Sequence, residues 1–435
     1  MLLGYTYSYL SPDNFGLSQA HVQDDILAPE GPAYRAVVIN STSQLTVSAV
    51  DHIRRYAQMG LPVILNGADP GYYLSGNGSD LGAIEAAISK LKQTESVHIV
   101  KTGQVAAKLQ SLKIHPRIVA HTNGTWFLSW REDAYNQAVY AFVLSDGNSS
   151  IGELDVATTR TPYFLDPWTG QKQPVFEYKR HHNRTVIPLR LAANQTVIIE
   201  FTDSAEAPRF HATQVPATVL SYEYNQNQSA VLQASAGPAS ESLTLSNGRN
   251  HTHLMPSSIP PTFNLLNWTL TADHWDAPRN MSNAATIALK HNTTYHLPSL
   301  VSWIRIAGLV NASGVGYYTT NLTWLPRHGP VDGAYLKFPK IAHAMQLYVN
   351  DRRLLPVDYS APKVDIGPYL REGSNEILAV VPTTMWNKIR SLLGRIENVG
   401  SKPKLAMLGS TPGLSENGLV RTVTVVPYLN VRIEP

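Results

Sequence analysis

The chain has 435 residues, of which 43% are hydrophobic and 15% are charged, and its formal net charge is +3. This length and composition predict several domains with buried cores and exclude an intrinsically disordered chain. Lysines and arginines are interleaved with acidic residues and form no basic stripe, so we expect no nucleic-acid partner and no membrane partner.

Residues 31–118 alternate between strand-like and helix-like segments, which predicts a parallel sheet covered by helices. The expected strands are 33–39, 62–65 and 97–100, and the expected helices are 45–59, 81–91 and 103–113. The helices have apolar residues at helical spacing, such as Val50, Ile53 and Ala57. The turn after the first strand has no glycine, which argues against a pyrophosphate site.

Residues 119–204 show the period-two pattern of strands and predict a small antiparallel β-sandwich. The expected strands are 125–131, 138–144, 185–191 and 195–201, with turns at 146–148, 166–170 and 192–194.

Residues 205–261 are rich in Ser, Asn, Pro and Gln and are interpreted as a strand-poor glycosylated connector. Within it, 218–224 and 229–234 are expected as edge strands. Residues 262–435 form a second all-β unit, interpreted as a jelly roll. Its expected strands are 300–307, 316–324, 333–338, 344–349, 376–381 and 419–428.

Half of the 26 asparagines are N-glycosylation acceptors, Asn-x-Ser/Thr, whereas chance would give roughly four. This excess predicts passage through the secretory pathway and a glycan-covered surface. The acceptors are Asn40, Asn77, Asn123, Asn148, Asn183, Asn194, Asn227, Asn250, Asn267, Asn280, Asn292, Asn311 and Asn321.

Two features point away from secretion. The chain has no cysteine, which is typical of cytosolic proteins, and its first residues contain no signal peptide. Both features are compatible with the excess of acceptors if the parent protein is secreted and extends N-terminally beyond residue 1. The alternative is a cytosolic protein with accidental acceptors.

Three stretches resemble fungal secreted enzymes of glycoside hydrolase family 106, the α-L-rhamnosidase-like proteins. LeuAspProTrpThrGlyGln (165–171), followed by the strand pair 185–201, is similar to the sandwich of that family. The segments 347–358 and 364–381, with LeuTyrValAsnAsp and ValAspIleGlyProTyrLeu, resemble its galactose-binding-like jelly roll. ThrThrMetTrpAsnLysIleArg (383–390) is similar to the segment that follows in the same module, and 418–428 closes it.

The resemblance covers nearly the whole chain and implies its domain order. Residues 1–30 would be a remnant of the exit segment of a catalytic barrel, 31–118 a flavodoxin-like α/β domain, and 119–204 the β-sandwich. Residues 262–435 would be the jelly roll. Asp351 stands where the family turn has glycine, but Asp tolerates turn geometry. The barrel that carries the family's catalytic carboxylates is absent, so the missing N-terminal barrel is itself an expected partner.

The sequence offers no convincing catalytic set. Glycoside hydrolysis needs two opposed carboxyl groups, and the neighbouring Asp24 and Asp25 are interpreted as a loop or helix start. His181 and His182 would point to opposite faces of a strand, and His251 and His253 have no third ligand. No cofactor is identified. Calcium is implied by the resemblance alone, without assigned ligands.

Binding to sugars is the function that remains for this chain after the catalytic and metal sites are set aside. Trp386, Asn387, Arg390 and Tyr317 are the candidate carbohydrate-binding residues, because aromatic rings stack on sugars while amides and Arg bond to hydroxyls. The alternative is that Trp386 fills the jelly-roll core or packs against the missing barrel.

The leading hypothesis is an accessory, non-catalytic part of a secreted glycosidase acting on α-L-rhamnosides or related plant cell-wall glycans, inactive alone. A free-standing carbohydrate-binding protein is the second hypothesis. A glycoside hydrolase recruited to a metabolite pathway is the third.

Overall fold

The computed structural model describes residues 4–72, 80–133, 135–204, 207–225, 229–237, 242–251, 259–280, 283, 285–324, 331–339, 341–396 and 413–434. The chain divides into two units. Unit 1 comprises Met1–His121, Phe127–Ala141 and Leu154–Ala157, and unit 2 comprises Thr122–Trp126, Phe142–Glu153 and Thr158–Pro435. No helix within the described residues is long and apolar enough to cross a membrane.

Unit 1 begins with short strands and a parallel α/β region. Its elements are a 3-10 turn Pro12–Gly16, β1 (Val22–Gln23), β2 (Ile26–Leu27), β3 (Val37–Asn40), β4 (Gln44–Leu45), α1 (Val47–Gln58), β5 (Val63–Asn66), β6 (Gly71–Tyr72), α2 (Asp80–Lys92), β7 (Val97–Val100) and α3 (Val105–Ser111). The four strands that follow have residues in both units and are β8 (Ile118–Thr122), β9 (Thr125–Asp133), β10 (Ala138–Asp146) and β11 (Ser150–Val156).

The sheet is parallel, as the alternating pattern predicted, and its strands have the order β3-β5-β7. Register places Val37, Val63 and Val97 on one face of the sheet. That face joins the buried residues of α1 and α2 in a single core. Both crossovers therefore lie on the same side of the sheet. The narrower flavodoxin-like assignment stays a prediction.

Asp24 and Asp25 form the tip of a tight hairpin. They are the two residues between β1 and β2, and both have positive φ, 51° and 59°. Such a two-residue loop requires the left-handed region, which Asp adopts more easily than most residues. Asp24 and Asp25 therefore form a turn, in agreement with the loop interpretation, and do not begin a helix.

Unit 2 is almost entirely β. Its remaining strands are β12 (Thr161–Leu165), β13 (Lys172–Pro174), β14 (Lys179–His181), β15 (Arg184–Leu191), β16 (Thr196–Thr202), β17 (Ala212–Gln214), β18 (Val219–Tyr224), β19 (Ala230–Ala234), β20 (Leu243–Leu245), β21 (Asn250–His251), β22 (Phe263–Leu265), β23 (Trp268–Asp276), β24 (Leu289–Leu297), β25 (Gly314–Trp324), β26 (Gly333–Lys337), β27 (Gln346–Val349), β28 (Arg352–Arg353), β29 (Lys363–Asp365), β30 (Gly373–Pro382) and β31 (Val423–Ile433). One helix, α4 (Trp386–Ile396), follows β30, and 3-10 turns occur at Trp303–Arg305 and Gly367–Tyr369.

The region predicted as a sandwich is built from antiparallel pairs in unit 2. Strand β12 pairs with both β13 and β16, and β14 pairs with β15. In β15 every second residue is buried, namely Thr185, Ile187, Leu189 and Leu191. This is the pattern expected of strands with one buried face.

Residues 205–261 contain more regular structure than the strand-poor connector predicted. Five strands, β17 to β21, lie in this region, and β19 pairs with β31 on one side and β18 on the other. It is therefore an interior strand and not an edge strand. Its buried Ala230, Leu232 and Ala234 alternate with the less buried Val231 and Gln233, a period-two pattern that the polar composition of the whole region conceals.

Two antiparallel sheets enclose the main core of unit 2. One has the order β18-β19-β31-β26-β29, and the other has the order β24-β23-β25-β30-β27-β28. Their inward residues, among them Trp268, Leu322, Leu336 and Val425, belong to one hydrophobic cluster. This arrangement agrees with the predicted all-β sandwich character.

The strand predicted at 300–307 is not present. Leu300, Trp303, Ile306 and Leu309 are all buried, and the segment contains the 3-10 turn Trp303–Arg305. Apolar residues three apart suit a helix of three residues per turn, whereas a strand would place them alternately on opposite faces. The prediction mistook a short apolar run for a strand.

Asp351 occupies the hairpin turn that the sequence assigned to it. Asn350 and Asp351 connect β27 and β28, with φ of 51° and 64°. The Asn350 amide also donates to the Tyr369 carbonyl over 3.0 Å and to the Asn375 side chain over 2.8 Å. The hairpin thus forms without glycine.

Candidate functional site

A cleft of about 500 Å³ lies within unit 2. Residues from three stretches of chain supply most of its walls, namely 164–171, 195–197 and 354–369 (from which Tyr359 and Ser360 are missing), with Ser221 and Tyr335 completing the lining. Its volume lies in the range of small-molecule sites, which is roughly 300–1,000 Å³.

Trp168 is presented to solvent by the loop between β12 and β13. The Asp166 carboxylate accepts a hydrogen bond from the Trp168 backbone N–H over 2.8 Å and another from the Thr169 hydroxyl over 2.7 Å. The Gly170 N–H donates to the Asp166 carbonyl over 2.8 Å. These bonds fix an Asp-Pro-Trp-Thr-Gly turn, and the Trp168 residue remains 40% exposed at its apex.

Tyr359, which follows the lining residue Asp358 but does not itself line the cleft, contacts Trp168. The two rings are in edge-to-face contact, with centroids 5.5 Å apart and planes at 86°. Tyr359 is itself 51% exposed. Large aromatic rings that are held in place but left open to solvent are characteristic of binding surfaces.

Polar groups adjoin the aromatic pair. The Asp358 carboxylate accepts hydrogen bonds from the Ser360 N–H over 2.9 Å and the Ser360 hydroxyl over 2.5 Å. The Gln195 side-chain amide donates to the same carboxylate over 3.3 Å, while its oxygen accepts from the Ala192 N–H over 2.9 Å. Both side chains are therefore oriented before any ligand arrives.

Asp365 is the third carboxylate that lines the cleft. Asp365 accepts hydrogen bonds from the Tyr428 hydroxyl over 3.0 Å, the Gly367 N–H over 2.8 Å and the Gln233 amide over 3.1 Å. The Tyr335 hydroxyl donates to the Gln233 oxygen. Burial raises the pKa of Tyr335 to about 12, and burial together with Asp365 raises the pKa of Tyr428. Both phenols thus remain protonated donors at neutral pH.

Lys363 provides the cationic group of the cleft. Its ammonium donates to the Leu220 carbonyl over 2.5 Å and lies 4.8 Å from the centroid of the Tyr335 ring. Although Lys363 is exposed as a whole residue, desolvation of its ammonium against Tyr335 and Leu220, and secondarily the nearby Lys337, lowers its pKa from 10.5 to about 8. Near neutral pH the group is still mainly charged.

The lowered pKa predicts a pH-dependent contribution of Lys363 to stability. Between about pH 8 and 10.5 the unfolded chain keeps this proton more tightly than the folded chain, so stability gained from this group rises with pH. We expect the free energy of unfolding of the wild type, relative to Lys363→Met, to increase over that window by a small amount, because solvent screens the charge of this exposed residue. Urea denaturation of both proteins at the two ends of the window measures it, and a constant difference contradicts the prediction.

The geometry suits the binding of a polyhydroxylated ligand. Trp168 and Tyr359 offer apolar ring surface, and Asp358, Gln195 and Lys363 place hydrogen-bonding groups beside it. Sugars combine apolar C–H faces with hydroxyl groups and fit this combination. Within the described residues, no group of three His, Asp or Glu side chains is arranged to hold a metal ion.

The four sequence-predicted sugar-binding residues lie elsewhere in unit 2. Asn387 is fully buried, and its amide donates to the Ser415 carbonyl over 2.8 Å and accepts from the Ser415 N–H over 2.9 Å. The Trp386 indole donates to the Gly413 carbonyl over 3.0 Å. Arg390 is half-buried on α4, and Tyr317 is 39% exposed on β25, opposite Thr271 and Val380. Their role in sugar binding stays a prediction.

The histidines do not follow the expected geometry. His181 ends β14 and His182 has φ of 51°, so the chain leaves the strand between them. Their rings therefore meet, with Nδ1 atoms 2.8 Å apart, instead of facing opposite sides. His251 lies in β21, and His253 lies outside the described residues.

The sequence analysis missed Trp168, Tyr359 and Asp358 as parts of one site. A signal existed for Trp168, because an aromatic residue inside an Asp-Pro-x-Thr-Gly turn points outward from the hairpin. No local signal links that turn to residue 359, almost two hundred positions later.

Comparison with solved structures shows the fold. A rhamnosidase from Novosphingobium sp. PP1Y aligns with 97% of this chain and 36% of its own, at 16% identity and a TM-score of 0.58. A GH2 β-galacturonidase from Eisenbergiella tayi covers 38% of this chain and 24% of its own, at 13% identity and a TM-score of 0.23. A β-glucuronidase from Ruminococcus gnavus covers 38% and 28%, at 16% identity and a TM-score of 0.23.

The chain thus shares its fold with the rhamnosidase and spans 36% of that protein's length. No protein-family model matches the sequence. No curated protein matches it either.

Proposed function

We propose that this chain is the glycan-binding, non-catalytic region of a glycoside hydrolase that acts on α-L-rhamnosides or related plant cell-wall glycans. The exposed Trp168–Tyr359 pair beside fixed polar groups is the observation that carries the proposal. The fold shared with a rhamnosidase, over a part of that protein, supports it. The cleft would hold a glycan segment near the enzyme's catalytic domain.

The finer assignments belong to the same proposal. We infer that the parent enzyme resembles glycoside hydrolase family 106, is fungal and secreted, and carries its catalytic barrel outside this chain. Calcium, if used, would bind to oxygen ligands.

The three carboxylates of the cleft favour binding over hydrolysis. Asp166, Asp358 and Asp365 are each engaged by hydrogen bonds from their own loops or from Tyr428 and Gln233. Hydrolysis requires one carboxyl group to give its proton to the leaving oxygen while another faces the opposite side of the sugar. Groups that shape loops suit the positioning of a ligand.

We expect the purified chain to bind plant cell-wall oligosaccharides without cleaving them. Isothermal titration calorimetry measures binding, and release of nitrophenol from a nitrophenyl α-L-rhamnoside measures turnover. Turnover that disappears when Asp358 is changed to Asn would make the chain an enzyme in its own right. Absence of binding to every glycan on an array would contradict the proposal.

A further inference from the structure

The described N-glycosylation acceptors all lie at the surface of the protein. Eleven of the thirteen acceptors are described, since Asn77 and Asn227 lie outside the described residues, and all eleven are exposed. In contrast, the fully buried asparagines Asn375, Asn387 and Asn417 all lie outside the acceptor motif. Glycans could therefore be attached to each described acceptor without disturbing a core.

One acceptor differs in its position from the other ten that the structure describes. Asn194 begins the motif Asn-Gln-Thr, and the two residues that complete the motif, Gln195 and Thr196, both line the cleft. The Gln195 side chain also reaches the Asp358 carboxylate, beside Tyr359. Because consecutive Cα atoms are about 3.8 Å apart, Asn194 stands at the rim of the cleft.

The Asn194 side chain is held in a suitable orientation. The residue has φ of 60°, and its Oδ1 accepts a hydrogen bond from the Gly147 N–H over 3.1 Å. Among the described residues no hydrogen bond uses its Nδ2, which is the atom that carries an N-glycan. The amide oxygen is thus anchored to the protein, while the nitrogen is available.

We propose that Asn194 carries an N-glycan that covers the mouth of the Trp168–Tyr359 cleft and restricts the entry of external glycans. In the transfer, Nδ2 forms a bond to the anomeric carbon of a lipid-diphosphate-linked oligosaccharide. The bond from that carbon to the diphosphate breaks, the lipid diphosphate leaves, and the amide loses one proton. This proposal rests on the proposed function and on passage of the chain through the secretory pathway.

The physical reason for restricted entry is proximity. A core glycan attached at the rim is a large hydrated group that cannot leave the neighbourhood of its anchor. Its sugars have the same chemistry as the ligands proposed for the cleft, so they compete at high effective concentration for the Trp168 and Tyr359 rings. An external glycan must displace them before it binds.

The test compares protein made in the bacterial cytoplasm with protein secreted by yeast. Asn194→Asp is the variant, since Asp tolerates positive φ and keeps an oxygen for the Gly147 N–H. Asn311→Gln removes another exposed acceptor and is the matched control. Peptide mass spectrometry reports occupancy, and calorimetry with cell-wall oligosaccharides reports affinity.

We expect the secreted wild type and Asn311→Gln to bind at least fivefold more weakly than secreted Asn194→Asp, which should match the bacterial protein. An unoccupied Asn194, or an occupied one whose removal leaves the affinity unchanged, overturns this inference and leaves the proposed function intact if the bacterial protein binds. If the bacterial protein itself binds no glycan, the proposed function fails and the inference fails with it.

Discussion

Replacing Trp168 by alanine is expected to weaken glycan binding to the cleft at least tenfold. The ring is anchored by the Asp166 turn and exposed over 40% of its residue surface, so its contact area is available to a ligand at little entropic cost. Truncating such an aromatic anchor costs about 2 kcal/mol, and about 1.4 kcal/mol is a tenfold change in affinity. Calorimetry on unglycosylated protein measures the effect.

Two control variants test whether the loss of affinity is specific to the aromatic ring of Trp168. Trp168→Phe keeps an aromatic face and should retain part of the affinity. Tyr317→Ala removes an aromatic residue of similar exposure, 39%, from a different place in unit 2. If Tyr317→Ala abolishes binding while Trp168→Ala does not, the set of Tyr317, Trp386, Asn387 and Arg390 is the better site and the cleft is not.

Local patterns in the sequence were sufficient for much of the fold. The apolar spacing of α1, with Val50, Ile53 and Ala57 buried, predicted both the helix and its inward face. The parallel order of β3, β5 and β7 followed from the alternation of strands and helices. These features depend on residues within about fifteen positions of each other, where periodicity is informative.

Features that depend on distant contacts could not be predicted in the same way. Strands β23 and β24 were missed, although their pairing brings Trp268 opposite Leu297. In β24 only Leu297 is buried, so most of its positions look like a polar loop. Its place in the sheet becomes evident only when its partner strand is known.

The cleft illustrates the same limit. The sequence contains eight tryptophans, and although the Asp-Pro-Trp-Thr-Gly turn indicates that Trp168 is exposed, nothing near it indicates which residues lie beside it. From its neighbours Asp358 has the character of a turn aspartate, and Tyr359 carries no signal of its own. Their function emerges because packing in unit 2 brings their loop against the Asp166 turn.

The second large effect is expected at Trp303, in the core of unit 2. Its side chain is fully buried, and its indole N–H donates to the Tyr318 hydroxyl over 2.7 Å. The same hydroxyl accepts from the Leu419 N–H over 3.2 Å. Gly418, with φ of 76°, passes so close that a Cβ there would lie 2.7 Å from the indole nitrogen. The residues around Trp303 are therefore packed too closely to shift into a cavity left by a smaller side chain.

We expect Trp303→Ala to lower the free energy of unfolding by about 3–5 kcal/mol, because the large cavity cannot collapse. Trp303→Phe should cost less, although it leaves the Tyr318 hydroxyl without its indole donor. Trp275→Ala, at a residue 37% exposed, is the control and should change stability by less than about 1 kcal/mol. Urea denaturation at neutral pH measures all three.

Binding measurements on Trp303→Phe separate the two roles of tryptophan in this chain. Trp303 does not line the cleft, so the folded fraction of this variant should bind glycans with wild-type affinity. Trp168→Ala should show the reverse, with unchanged stability and weakened binding, since its side chain fills no core. A Trp303→Phe protein that remains folded but loses affinity would mean that the cleft depends on the packing of the whole sandwich. The Asp166 and Asp358 loops alone would then be insufficient to form it.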